Sequence, residues 1–217
     1  MAGRTRPPAV VWHGDCLRVM RTMPDAAVDA VVTDPPWNWG KDYGEHDDAM
    51  PADRYARWLG RRLAECARVS RGPIVFMPGA RNVHVLGLVL GHAALRRTRV
   101  LWWGRAEDAG VVLEPVVWAV RRSGAPPPVA AAWLGAHRAP PAPPTRHPCP
   151  KSAVLMRLLV ALAAPRGGTV LDPFCGTGTT LEAAAALGRD AIGIEVNRAY
   201  CLSAARAVGA LPRRAVG

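Results

Sequence analysis

Apolar residues arrive in this chain in two kinds of pattern. Short runs rich in β-branched and aliphatic residues, with little polar alternation, read as strands buried on both faces of a sheet. They fall at 10–13, 28–33, 74–77, 99–103, 115–120, 169–171 and 191–194. Between them the spacing is helical. Over 51–69, Tyr55, Leu59, Leu63 and Cys66 form one stripe, with Arg54, Arg57, Arg61, Arg62 and Arg68 around the remainder. Further helices are expected at 16–22, 152–163, 177–187 and from Asn197, and at 82–94 despite Gly87 and Gly91. Seven strands interleaved with helices predict an α/β fold: a doubly wound, mostly parallel seven-stranded sheet. The pattern lapses at 123–150, which holds nine of the 21 prolines and so excludes a helix or a central strand there.

Length and composition fit this picture. The 217 residues are most simply one domain, 1–217, with 121–150 set apart as a Pro-rich segment. Half the residues are hydrophobic and eight are Trp, which argues against disorder. No apolar run is long enough to cross a membrane, and the N-terminus lacks the apolar core of a secretory signal. Five scattered cysteines without a CxxC pair suggest a reducing, intracellular setting and give no zinc framework. The balance of 28 Lys+Arg against 17 Asp+Glu, net +11, is compatible with a nucleic-acid partner.

Residues 169–180 read TVLDPFCGTGTT: an apolar strand ends in Asp172, followed by a turn with Gly176 and Gly178 and then a helix. Glycines there let a backbone approach a ligand at the carboxyl edge of the sheet. Glu195 closes the next strand 23 positions after Asp172, where an acid can accept hydrogen bonds from ribose hydroxyls. The dinucleotide fingerprint fails, because Leu181 stands where its third glycine would, and a phosphate-binding Walker loop fails for want of a Lys.

A second constellation, Asp34-Pro35-Pro36-Trp37, follows the strand at 28–33 directly. The exocyclic amine of a base is a poor nucleophile, since its lone pair is delocalised into the ring. A carboxylate and a backbone carbonyl that each accept one of its hydrogens draw the nitrogen towards tetrahedral geometry. Prolines stiffen such a loop, and Trp37 offers a flat face for an extruded base.

Together these segments resemble the S-adenosylmethionine-dependent amino-methyltransferases of DNA, whose cofactor motif DPFxGxGT is matched by Asp172, Pro173, Phe174, Gly176, Gly178 and Thr179. The family's [DNS]PP[YFW] is matched by Asp34, Pro35, Pro36 and Trp37. The resemblance implies that Asp34 and the Pro35 carbonyl hold the amine, Trp37 stacks on the base, and Glu195 binds the cofactor ribose. Gly14-Asp15-Cys16 is similar to the segment whose Asp contacts the cofactor's adenine amine, and Asp15 also suits a helix cap. His147-Pro-Cys-Pro-Lys151-Ser152 resembles HPTxKP, in which Lys151 would neutralise the methionine carboxylate; Ser152 departs from the usual Pro. The catalytic motif precedes the cofactor motif, as in the circularly permuted β-class with its Rossmann-like fold.

The resemblance implies methylation of adenine N6 in DNA, since Asp leads the tetrapeptide. Cytosine N4, adenosine in RNA, and a catalytically silent nucleic-acid-binding subunit remain as alternatives. Segment 121–146 is either a short DNA-recognition element or a linker, which predicts short-site specificity aided by homodimerisation or a specificity partner. Cytoplasmic action on DNA, in a bacterial or phage-encoded restriction-modification setting, follows from the same resemblance. The loop 39–50 is expected to cover the site and to order when substrate binds. His46, beside Glu45, Asp47 and Asp48, has no second His at ligand spacing, so no metal site is expected. Arg61, Arg62, Arg96, Arg97, Arg99, Arg121 and Arg122 are candidate phosphate contacts.

Overall fold

In a computed structural model the chain is described over residues 8–93, 95, 97–107, 110–120, 132–138 and 151–215. In chain order the elements are β1 (Ala9–His13), α1 (Cys16–Arg21), β2 (Ala30–Thr33), α2 (Ala52–Val69) and β3 (Ile74–Phe76). A 3-10 stretch at Ala80–Val85 runs into α3 (Leu86–His92), followed by β4 (Arg97–Glu107), β5 (Gly110–Val120) and β6 (Trp133–Arg138). The last third contributes α4 (Ala153–Ala163), β7 (Thr169–Asp172), α5 (Thr179–Ala186), β8 (Asp190–Glu195), α6 (Arg198–Val208) and β9 (Pro212–Arg214).

The sheet order is β6-β4-β5-β3-β2-β7-β8-β1-β9. Only β5 runs antiparallel to its neighbours β3 and β4; every other described pairing is parallel. Alternation along the central strands sends side chains to two cores. Ala30, Val32 and Val170 pack with Leu155, Leu159, Leu181 and Ala204 of α4, α5 and α6. Val31 and Leu171 face the other way, onto Val19, Leu59, Leu63 and Val89 of α1, α2 and α3. The sheet is therefore doubly wound.

From β2 the chain crosses to β3 on one side of the pair β2–β7; from β7 it crosses to β8 on the other. That reversal makes the carboxyl ends of β2 and β7 the switch point of the sheet, where open α/β folds bind ligands. Asp34 follows the first of these strands and Asp172 ends the second.

Among the described residues nine strands replace the seven expected. The two additions are at the edges, where burial leaves no apolar run to read. In β9, Pro-Arg-Arg is exposed throughout and pairs with β1 through Val11, Trp12 and His13; Pro is tolerated at such an edge. Strand β6 arises inside the Pro-rich segment, paired to β4. Both β4 and β5 are longer than expected, because Val111, Val112 and Leu113 carry the hairpin out into solvent. The helix expected at 82–94 begins as a 3-10 turn, held where the Asn82 amide donates to the carbonyls of Trp37 (2.6 Å) and Pro78 (2.7 Å).

Candidate active site

A cleft of about 250 Å³ opens at the switch point. Its wall on the β7–β8 side is built around two acids. Asp172 is buried and accepts from the Thr33 hydroxyl (2.6 Å) and the Phe174 amide (3.0 Å). Burial raises its pKa to about 6, against the opposing pull of those hydrogen bonds. The turn that follows needs glycine: Gly178 lies at φ 100°, and a Cβ there would stand 3.0 Å from the Ala204 backbone. Beyond it, α5 starts at Thr179 with its first amides turned to the cleft edge.

Glu195 ends β8 and accepts from backbone amides, among them Gly176 N to Oε2 (2.9 Å) and Asn197 N to Oε1 (2.8 Å). Burial is the main cause that pushes this carboxyl up to about 7.

An aromatic wall completes this side. Phe174 lies 5.6 Å from Trp58, which packs against the tilted His46 ring at 4.6 Å and lies beneath the Arg62 guanidinium at 4.2 Å. Arg62 also donates to Asp15 Oδ2 at 2.7 Å. Asp15 uses its other oxygen to cap α1, accepting from Arg18 N at 3.1 Å. The expected cap is present, and the same side chain lines the cleft. Neighbouring Cys16 is buried, and desolvation raises its thiol to about 12, so it lines the cleft as a neutral group.

The opposite wall is the Asp34–Trp37 tetrapeptide. Trp37 Nε1 donates to Asp34 Oδ1 and to the Met77 carbonyl, both at 2.9 Å. Tyr55 of α2 donates to the Pro36 carbonyl at 2.8 Å. These bonds lock the loop from three sides. Lys151 Nζ lies 3.0 Å from Asp34 Oδ2 and 3.7 Å from the Trp37 ring centroid. Desolvation raises the Asp34 pKa, while the Lys151 charge and the hydrogen bonds from Lys151 and Trp37 pull it back down.

Of the residues expected from sequence, Asp15, Cys16, Asp34, Pro36, Lys151, Asp172, Phe174, Gly176, Thr179 and Glu195 line this one cleft. Pro35, Trp37 and Gly178 stand behind its surface. Trp37 is only 7% exposed, with Lys151 over its ring, so its expected open stacking face is covered. Lys151 itself is engaged by Asp34. Arg62, expected on phosphate, is turned inward to Asp15 because α2 carries it to the cleft.

The loop over the cleft is already folded. Buried Asp48 accepts from the amides of Asn38 (2.7 Å), Trp39 (3.0 Å) and Lys41 (3.0 Å), and the Asn38 side chain clasps Met50 on both its amide and its carbonyl. Its carboxylate is thus committed to the loop backbone. His147, segments 121–131 and 139–150, and Arg96, Arg121 and Arg122 lie outside the described residues, as does the Arg97 side chain.

Trp58 and His46 line the cleft without having been singled out as ligand contacts, and Tyr43, a candidate phosphate or base contact from its place in the loop, lines it as well. Trp58 could have been noticed as a large aromatic beside, rather than on, the apolar stripe of α2. His46 and Tyr43 have only loop context, and their placement depends on the tertiary fold.

The glycine turn after β7, the acid closing β8 and the carboxylate on the facing loop meet at the switch point of a Rossmann-like fold. A family model described as DNA methylase matches residues 116–206. The DNA adenine methyltransferase YhdJ of Escherichia coli is 27% identical, with 88% of this chain and 79% of that protein covered. The type II methyltransferase M.HpaI of Haemophilus parainfluenzae is 23% identical over 86% of this chain and 69% of its own length. In fold the chain is similar to the complex of M1.HpyAVI with S-adenosylmethionine, at TM-score 0.69, 22% identity and coverage of 92% and 98%. It is similar also to the cytosine-N4-specific PvuII DNA methyltransferase, at TM-score 0.73, 16% identity and coverage of 94% and 89%. S-adenosylmethionine is bound in the M1.HpyAVI structure that the fold resembles. The cleft fits it: the Glu195 carboxylate, anchored on the Gly176 and Asn197 amides, lines it together with Asp34 and Asp172, and the glycine turn leaves room.

Proposed function

We propose that this chain methylates the N6 amine of an adenine flipped out of DNA, and that its two cleft walls divide the work. The observation that carries this reading is the convergence of the Asp34–Trp37 wall and the Gly176–Glu195 wall on one cleft, from segments far apart in the chain.

On the cofactor wall, Glu195 accepts from the ribose hydroxyls, Asp15 from the adenine amine, and Phe174 supplies a ring face. Lys151 is the cation available to the methionine carboxylate. S-adenosylmethionine supplies an electrophilic methyl group on a sulfonium. On the other wall Asp34 accepts one amino hydrogen of the base and the Pro35 carbonyl the other. This directs the nitrogen lone pair across the cleft, and Asp34 is placed to receive the proton the amine sheds. Trp37 supplies the stacking surface for the base. The loop from Asn38 to Met50, pinned by Asp48, limits water at the reacting atoms.

Asp at the head of the tetrapeptide and the likeness to an adenine methyltransferase favour adenine. The likeness in fold to a cytosine-N4 enzyme makes N4 the second reading. We further propose one catalytic domain, with 121–150 contributing a short-site recognition element, and action in the cytoplasm alone, as a homodimer or with a specificity partner. Among the described residues no helix is long and apolar enough to cross a membrane.

Incubation with methyl-labelled S-adenosylmethionine and either duplex DNA or RNA, followed by nucleoside analysis, tests the assignment. Label on N6-methyldeoxyadenosine is expected. Label on cytosine, or on RNA alone, would overturn it.

A further inference from the structure

Two contacts define where the target amine must lie under the proposed function, on which this inference rests: against the Trp37 ring and within hydrogen-bond reach of Asp34. In the free protein both are already taken by one group. The Lys151 ammonium lies 3.7 Å over the Trp37 ring and 3.0 Å from Asp34 Oδ2. It satisfies the ring by a cation–π contact and the carboxylate by a charge-assisted hydrogen bond. A stacked base and this ammonium cannot share the space.

The residue type is itself informative. Of the 28 basic residues in the chain only Lys41 and Lys151 are lysines; all the others are arginines. Lys41 is exposed on the loop over the cleft. At Lys151 a composition otherwise given over to arginine keeps a compact ammonium on a flexible stem. A guanidinium is a flat plate of fixed donors, and would not imitate an amino group or swing clear as readily. Lys151 also precedes Ser152, whose hydroxyl caps α4, so its side chain leaves the chain just before the helix fixes the backbone.

We infer that Lys151 is an internal stand-in for the target amino group: it fills the Asp34–Trp37 subsite in the free protein and must withdraw for a base to be admitted. Its ammonium keeps Asp34 charged and Trp37 in place while the subsite holds no base. Because Lys151 also borders the cofactor side of the cleft, the carboxylate of a bound cofactor is the anion to which it can swing. Base admission is then coupled to cofactor binding, and the protein discriminates against bases until the cofactor is in place.

Two lysines make this directly observable. Protein labelled with ¹³C at the lysine ε-carbons gives two ε-CH₂ cross-peaks, assigned by Lys41→Arg. In the free protein the Lys151 peak should lie upfield of the Lys41 peak, through the ring current of Trp37. With S-adenosylhomocysteine and an oligo-deoxyadenosine single strand both bound, as followed separately by calorimetry, it should move to the position of an exposed lysine. A Lys151 peak that coincides with Lys41 in the free protein, or that stays upfield with both ligands bound, overturns the stand-in alone. Absence of heat with S-adenosylhomocysteine overturns the cofactor reading, and the stand-in with it.

Discussion

Asp34 carries two opposed influences, burial that favours its protonated form and Lys151 that favours its ionised form. Only the ionised form accepts a hydrogen from a base amine. Activity should therefore fall as pH drops through the Asp34 pKa. Replacing Lys151 by Met removes the lowering influence, so with neither cofactor nor base bound the Asp34 carboxyl should titrate at higher pH, followed by NMR of ¹³C-carboxyl-labelled aspartate. An unmoved Asp34 titration would mean that Lys151 does not hold this carboxylate ionised. Glu195 offers a separate test in binding. Its carboxyl, raised to about 7, is protonated at lower pH and then loses the charge that favours hydroxyl donors. S-adenosylhomocysteine affinity should weaken as pH falls from 8 to 6. Glu195→Gln should flatten that dependence and cost about 10- to 100-fold at pH 8, the scale of a hydrogen bond to a charged group. These acids were legible in the sequence because each sits at a strand end beside a local signature. Arg62 and Trp58 were not, since their role depends on the face of α2 that tertiary packing turns towards Asp15 and Phe174.

Between elements, the bond from Thr33 to Asp172 ties the end of β2 to the end of β7 across 139 positions of sequence. It aligns the two walls of the cleft. Thr33→Val keeps the side-chain volume but leaves buried Asp172 short of a donor, and should cost about 1–3 kcal/mol in urea unfolding. No loss would mean that Thr180 and the Phe174 amide satisfy the carboxylate unaided. Gly178→Ala should weaken cofactor binding as well as stability, because φ 100° and the nearby Ala204 backbone leave a methyl group neither a relaxed conformation nor room. The seven strands with strong apolar runs were readable, whereas β6 and β9 were not. Edge strands are specified by pairing with β4 and β1, and their own residues carry little hydrophobic signal.

At the scale of the whole molecule, the sheet reversal at β2–β7 brings together the proposed catalytic and cofactor motifs, which the sequence keeps 138 positions apart, at Asp34 and Asp172. The doubly wound plan that accomplishes this followed from alternating strand and helix patterns. Which arginines face DNA did not, and Arg62 shows why: a basic residue on an amphipathic helix can serve the cleft instead of the solvent. The net charge of +11 predicts DNA binding that weakens steeply with salt, linearly in log–log form. The central claim is that one wall holds the cofactor and the other activates the amine. Its most direct test is Asp34→Ala, with S-adenosylhomocysteine affinity and methyl transfer to DNA measured on the same preparation. The account predicts affinity within a few-fold of the parent and transfer reduced by at least about 100-fold, the scale of a lost catalytic group. Parallel loss of both, or retention of transfer, would contradict it.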